Sequence, residues 1–391
     1  MSDLYVHRAL EPALATAMSQ FPVLVLTGAR QTGKSTLLRH LCPGHRYLTF
    51  DDPLIRELCR RDPALFLENY SPPLLLDEIQ YVPEILPYVK IAADQNRRRS
   101  GQYIVTGSQM FPLMRGVTES LAGRAAVFEL FGFALNEYPL ASNTISGLFD
   151  RIFVGDYPDP LVHQVDRRMF YSSYLQTYLE RDIRMIQNIQ DISLFQSFLE
   201  LLAARAGQLL NLSALARDLG VAQPTAKRWL TLLESSRVVY VLRPYFRNIS
   251  KRVVKTPKLY FLDTGLLSFL LKYPDPQTLF SGPSAGPLFE NYVVTEIFKT
   301  AKYHGIDAEL YFFRDAVGNE IDLVIDKGDR QLLVEIKLSK SVRPRHYEQL
   351  ERSGLPFSNP ERFLISAFAE SIQLTRQVRN VPPWLAHQVL D

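Results

Sequence analysis

The chain has 391 residues, a length that suggests two or three domains. Hydrophobic residues make up 47% and charged residues 22%, an ordinary globular composition; the net charge of +3 marks no acidic or basic partner, so a nucleic-acid signal must come from local patches. Only Cys42 and Cys59 are present, which argues against a disulfide framework or zinc site, and the opening MSDLYVHRALEP lacks the apolar core of a signal peptide.

Taken in order, PVLVL (Pro22 to Leu26) is a short β-rich run, followed by GARQTGKST and the helical pattern LLRHL. LTFDDP follows another short strand, PPLLLDEIQ is an apolar strand ending in two acids, and YIVTGSQ is a strand ending in small polar residues. Strands alternating with helical stretches predict a parallel, doubly wound sheet. This region closes near FGFALNEYPL, and the polar ASNTISG reads as a linker. Asp166 to Ala206 has apolar residues three and four apart, a helical pattern. LSALARDLG, VAQ and PTAKRWLTLLESS then read as two helices around a short turn, with Gly220 ending the first and Pro224 opening the second. VVYVLRPYF and RVVKTPKLYFLD are β-like, and PDPQTLFSGPSAGP marks a boundary near residues 274–287. LFENYVVTEIFKTA is a helix before two further strands. The expected division is 1–140, 141–273 and 274–391. The longest apolar run, LYFLDTGLLSFLL, contains Asp263 and falls short of the roughly 18–20 residues that span a bilayer, so a cytoplasmic protein without a membrane partner is expected.

Gly28-Ala29-Arg30-Gln31-Thr32-Gly33-Lys34-Ser35 fits G-x-x-x-x-G-K-[ST], with Thr36 next. Glycines let the backbone wrap closely, so that amides and the following helix N-terminus face phosphate oxygens. Lys34 is expected to reach the β- and γ-phosphates of ATP and the Ser35 hydroxyl to ligate Mg²⁺. Asp77 is expected to hold the same Mg²⁺, and Glu78 to polarise the attacking water. A surface acid pair at a strand end would look the same in isolation. Ser108 is placed to sense the γ-phosphate, although a turn serine is the plainer alternative. Arg124 in SLAGRAAVFEL is a candidate arginine finger, a role that implies an oligomer; a solvated arginine at a helix end is the alternative.

Several stretches together carry a family resemblance: GARQTGKSTLL, LDEIQ, VTGSQ and SLAGRA in the first part, then GDYPDP, YLQTYLERDI, LAARAGQLLNLSALARDLGV, RPYFRNISKRVVKTPKLYFLDTGLL, LFENYVVTEI and EIDLVI with VEIK. The chain resembles, over nearly its whole length, the prokaryotic AAA-type ATPases that carry the C-terminal domain of unknown function 4143. The family pattern often has Gly-Gly where this chain has Gly155-Asp156. The resemblance implies an α/β fold class: a P-loop AAA-type parallel-sheet domain, then a helical and winged-helix domain, then a PD-(D/E)xK restriction-endonuclease-like α/β domain.

The helix-turn-helix proportions place Lys227 and Arg228 on the second helix, and Arg243, Arg247, Lys251, Arg252, Lys255 and Lys258 punctuate the hairpin after it with Tyr245 and Phe246 between them. Basic residues with interleaved aromatics suit nonspecific or structure-dependent contact with DNA; a packing module between domains is the alternative. In the last part, Glu335-x-Lys337 puts two side chains on one strand face, and Asp322 lies on the preceding strand. With Glu290 from LFENYVVTEIF, this is the layout of PD-(D/E)xK nucleases, in which carboxylates hold Mg²⁺ and the lysine steadies water or phosphate. A half-exposed hairpin would show the same alternation, and a structural Asp322–Lys337 pair could offset the cost of inward charges. The expectation is an ATP- and Mg²⁺-dependent ATPase, forming a homo-oligomer or ring, acting on DNA through a nuclease-like C-terminal domain. The alternative is a nucleotide-regulated signalling, defence or antitoxin-like switch, whose catalytically silent C-terminal domain binds a protein partner.

Overall fold

A computed structural model describes residues 5–391 apart from 97–98, 109–119, 180–191, 246–255, 316, 353–354, 356 and 358. Two compact units emerge, one of residues 1–133 with 235–237, the other of residues 134–234 with 238–391.

The first unit is built on a five-stranded sheet of β1 (Val23–Thr27), β2 (Arg46–Thr49), β3 (Leu74–Asp77), β4 (Tyr103–Gly107) and β5 (Ala125–Glu129), in the order β2-β3-β4-β1-β5. All its pairings are parallel, as the alternation of strands and helical stretches predicted. VLVLT in β1 and LLLD in β3 are buried at every position, because helices cover both faces of such a sheet. Parallel order brings the carboxyl ends of β1, β3 and β4 to one edge, where open α/β sheets bind ligands. Local signals set the helix starts: Asp52 caps the helix Pro53–Arg61 through the Leu54 amide, and Asp62 caps Pro63–Asn69 through the Leu65 amide.

The second unit holds an eight-stranded sheet of β6 (Val239–Pro244), β7 (Lys258–Phe261), β8 (Glu309–Arg314), β9 (Glu320–Asp326), β10 (Gln331–Lys337), β11 (Glu361–Ser366), β12 (Ile372–Gln373) and β13 (Val378–Val381), ordered β12-β13-β11-β10-β9-β8-β6-β7. The two helices Leu212–Leu219 and Gln223–Ser235 form the expected helix-turn-helix, with Gly220 at φ +68° ending the first. The antiparallel β6–β7 pair follows, and β6 also joins β8 at Arg243 and Pro244, so the strands after the helix-turn-helix run on into the C-terminal sheet. Tyr245 is buried in an apolar cluster with Phe313, Ile321 and Leu364. The helix Ala285–Tyr303, buried along most of its length, lies against β7 and β10. Asp166 to Ala206 contains the expected helices at Arg167–Ser173 and Ile192–Ala203, with a π-helical turn at Tyr174–Leu179.

Candidate functional site

The phosphate loop follows β1 and ends on the helix Lys34–Leu41. Gly28 has φ +142°, and a Cβ there would lie 2.1 Å from the Leu130 carbonyl oxygen, so only glycine fits. Gly33, at φ +90°, is the N-cap of the helix. The Thr32 hydroxyl donates to the Ala29 carbonyl at 2.9 Å, and buried Lys34 donates to the carbonyls of Gly28 and Ala29 at 3.0 and 2.8 Å. Burial pulls the Lys34 ammonium down to about 8, against the attraction of Glu78 and Asp77. A phosphate would offer this ammonium a stronger, charged acceptor than two carbonyls.

Asp77 ends β3 with both oxygens engaged. Its Oδ2 accepts from the Ser35 hydroxyl at 2.6 Å and the Tyr47 hydroxyl at 2.7 Å, and Oδ1 accepts from the Glu78 amide at 3.0 Å. Burial raises its pKa, and the two hydroxyl bonds oppose that rise. A hydroxyl and a carboxylate side by side beneath a glycine-built phosphate cradle are the donor set for Mg²⁺ on a nucleoside triphosphate, so the residues present fit both groups. Glu78 sits at φ +55°, unusual for a non-glycine. Its carboxylate accepts from Ser108 at 3.2 Å and from the Gln80 amide, which also donates to the Ser108 hydroxyl at 3.2 Å. Lys34, Ser35, Asp77, Glu78 and Ser108 thus gather along one sheet edge. Arg30, Gln31 and Thr36 belong to the same loop and helix start.

Arg124 stands elsewhere. It precedes β5, whose Ala125 pairs with Val23 at the start of β1, whereas the phosphate loop follows Thr27 at its end. Five strand residues span about 17 Å, so Arg124 lies at the opposite sheet edge from its own phosphate loop. Its Nε bonds Asp94 at 2.7 Å and its Nη1 the Ala122 carbonyl at 2.9 Å.

Three further partners in this unit carry no local sequence signal. Buried Arg8 donates to the Thr32 carbonyl at 3.0 Å and to those of Phe131 and Gly132 at 2.8 and 3.3 Å, bracing the phosphate loop. Gln80 and Tyr47 are the others. Tyr47→Phe removes one hydroxyl bond to Asp77, an effect of about 1 kcal/mol or roughly fivefold. The Mg²⁺ concentration that half-saturates ATP-analogue binding should rise by that factor in a fluorescence titration; an unchanged Mg²⁺ dependence would show that Tyr47 does not support Asp77.

In the second unit, Asp322, Glu335, Lys337 and Glu290 do converge. Antiparallel β9–β10 pairing sets Leu323 opposite Val334, which carries Asp322 to Glu335. Lys337 bonds Asp322 at 3.0 Å and Glu335 at 2.8 Å, and Asp322 also accepts from the Ile336 amide at 2.9 Å. Burial, then the charge of Asp322, pushes the Glu335 carboxyl up to about 8. Of the basic residues that punctuate the hairpin after the helix-turn-helix, Lys258 takes the packing role and not a surface one. Lys258 is 3% exposed, with its ammonium 2.7 Å from Glu320, 3.1 Å from Glu290 and 3.8 Å from Asp322. β7 turns it inward, onto the carboxylates of β9 and the helix Ala285–Tyr303. Among the described residues, no group of three or more His, Cys, Asp or Glu side chains forms a metal-ion site. Lys227 and Arg228 are exposed on their helix, while Arg247, Lys251, Arg252 and Lys255 lie outside the described residues.

A second buried network centres on Asp156. Asp156 is bonded by Arg151 at 2.6 Å and Lys299 at 2.8 Å, and Lys299 also pairs with Glu296 at 3.0 Å. The Asp156 amide donates to Asp263, which accepts from Tyr171 as well, both at 2.7 Å. Gly155, at φ +89°, passes where a Cβ would lie 2.2 Å from the Tyr171 hydroxyl. Asp156, in the position where the family pattern often has glycine, is therefore the counter-ion of two buried cations.

Comparison with known proteins agrees with this architecture. Residues 20–139 match the AAA domain family, 145–277 a domain of unknown function (DUF8612), and 285–383 a domain of unknown function (DUF4143). An uncharacterized protein of Mycobacterium tuberculosis is 31% identical over 374 residues, covering 93% of this chain and 82% of the relative, and one of Mycobacterium bovis matches equally. The chain belongs to the AAA-type P-loop ATPases with a C-terminal DUF4143 domain. A Walker-type ATPase of Pyrococcus abyssi is similar at 15% identity over 69% of this chain and 96% of that one, with a TM-score of 0.47. The RuvB Holliday junction branch migration motor of Thermotoga maritima is similar at 14% identity over 61% of this chain and 91% of that one, with a TM-score of 0.31. Among the described residues of this DUF4143-containing ATPase, no helix is long and apolar enough to cross a membrane.

Proposed function

We propose that this chain is an Mg²⁺-dependent ATP-hydrolysing switch whose nucleotide state is passed to a non-catalytic C-terminal platform that binds a partner. The observation that carries it is the single sheet edge where Lys34, Ser35, Asp77, Glu78 and Ser108 meet under the glycine cradle. Mg²⁺, when bound, neutralises charge on the terminal phosphates. Ser35 and Asp77 would hold it. Lys34 leaves the loop carbonyls for the phosphates, and Glu78, released from Gln80 and Ser108, orients water and takes its proton. The regions 1–140, 141–273 and 274–391 act as ATPase, connecting helix-turn-helix segment and platform. A relay has a physical start in the segment after β5: its Leu130 carbonyl crowds Gly28, Arg8 ties Thr32 to Phe131, and Leu135 donates to Glu296 at 2.6 Å. In a homo-oligomer, Arg124 would serve a neighbour's site only after leaving Asp94.

Contact with a DNA backbone is a second reading, favoured by the exposed Lys227 and Arg228 on the second helix of the helix-turn-helix. Phosphate release from ATP by the full chain with Mg²⁺ tests the principal reading. Release that depends on Mg²⁺ is expected; its absence in the folded wild type overturns the reading.

A further inference from the structure

The acid–lysine set of the second unit differs from the nuclease layout in one respect: besides Lys337, a second lysine sits among the acids. Lys258 reaches them from β7, the sheet edge opposite β12. Three carboxylates from two elements face its ammonium: Glu290 of the helix Ala285–Tyr303, and Glu320 and Asp322 of β9. Two of the contacts, at 2.7 and 3.1 Å, are charge-assisted hydrogen bonds, and the Tyr260 hydroxyl supplies a further donor to the same Glu290 oxygen at 2.7 Å. Phe312 closes one side, its ring centroid 5.6 Å from the ammonium. The other cations are also committed: Arg314 to Glu320 at 3.0 Å, and Lys337 to Asp322 and Glu335. Lys258, Lys337 and Arg314 face Glu290, Glu320, Asp322 and Glu335, so the cluster nearly balances its own charge. A divalent ion would need the same oxygens at about 2.0–2.6 Å. The Lys258 ammonium already stands among these oxygens, and a second cation brought beside it would meet strong repulsion inside a protein.

We propose that Lys258 is the built-in cation of this cluster: it occupies the place of a divalent ion among Glu290, Glu320 and Asp322, so that the C-terminal unit is held together without metal and does not cut nucleic acid. This deepens the platform reading and is independent of whether the phosphate loop hydrolyses ATP. Removing the lysine leaves the acids without their central counter-ion, and a divalent cation becomes the natural replacement.

Thermal unfolding of the nucleotide-free full chain with and without Mn²⁺ tests this, using wild type, Lys258→Met and Lys258→Met/Glu290→Gln. The phosphate loop is common to all three, so any Mn²⁺ effect there cancels. Wild type should show no Mn²⁺ shift beyond that common effect. Lys258→Met should melt lower and regain about 5–10 °C with Mn²⁺ at a hundredfold excess over its dissociation constant. The double variant, with one carboxylate neutralised, keeps the test readable if Lys258→Met folds poorly: it should be less impaired and respond less to Mn²⁺. An Mn²⁺ shift in wild type that Asp322→Asn abolishes, or Mn²⁺-dependent cleavage of linear or four-way DNA by wild type, overturns the proposal. So does a folded Lys258→Met chain that gains no Mn²⁺ response.

Discussion

Lys34→Ala should reduce ATP turnover to background while leaving the fold intact. Among the described residues the side chain donates to two carbonyls of its own loop and to no carboxylate, so truncation breaks no ion pair there. Its transition-state role has no substitute: charge gathers on the terminal phosphoryl group, and no other lysine stands within the loop. Removing one preorganised donor of this kind costs about 10²–10³ in turnover, and a cationic one acting in a desolvated loop belongs at the upper end. Phosphate release measures the loss and circular dichroism the fold. Turnover above a tenth of wild type in a folded variant would place the chemistry at another site.

The second large effect concerns stability. Asp156→Ala should lower the melting temperature by about 10 °C, because it strands Arg151 and Lys299, both nearly inaccessible to solvent, without their shared counter-ion. Breaking a buried pair from one side costs about 3–5 kcal/mol, and each kcal/mol shifts a domain of this size by roughly 2–4 °C. Glu296 remains beside Lys299, so the lysine keeps one partner while Arg151 loses its closest. Calorimetry of the variant against wild type decides it. A shift under about 2 °C would mean that water or Glu296 replaces Asp156 at little cost.

These two residues show what the sequence makes legible. Gly28 to Ser35 could be read directly, since the motif is contiguous and its strand and helix flank it. Asp77 was legible as the polar end of the apolar run PPLLL. Tyr47 was not, because its bond to Asp77 depends on β2 lying beside β3, a pairing across 30 residues. Arg8 bonds a carbonyl 123 residues away, beyond any local pattern. Asp156 stood out against the family's glycine, but its meaning needed Lys299, 143 residues on. Lys258 shows a different limit. Basic residues spaced among aromatics look the same whether they face solvent or carboxylates, and strand alternation fixes faces without saying which one is buried. Convergence of Asp322, Glu335 and Lys337 followed from strand period and pairing; the lysine between Asp322, Glu320 and Glu290 did not.

The claim that nucleotide state operates the second unit has its most direct test in hydrogen exchange of the full chain. The states to compare are nucleotide-free, with Mg²⁺ and a non-hydrolysable ATP analogue, and with Mg²⁺ and ADP. Analogue-dependent changes in protection are expected beyond residue 133, beginning at the segment held by Glu296, with their reversal in ADP. Changes confined to residues 1–133 would contradict that claim.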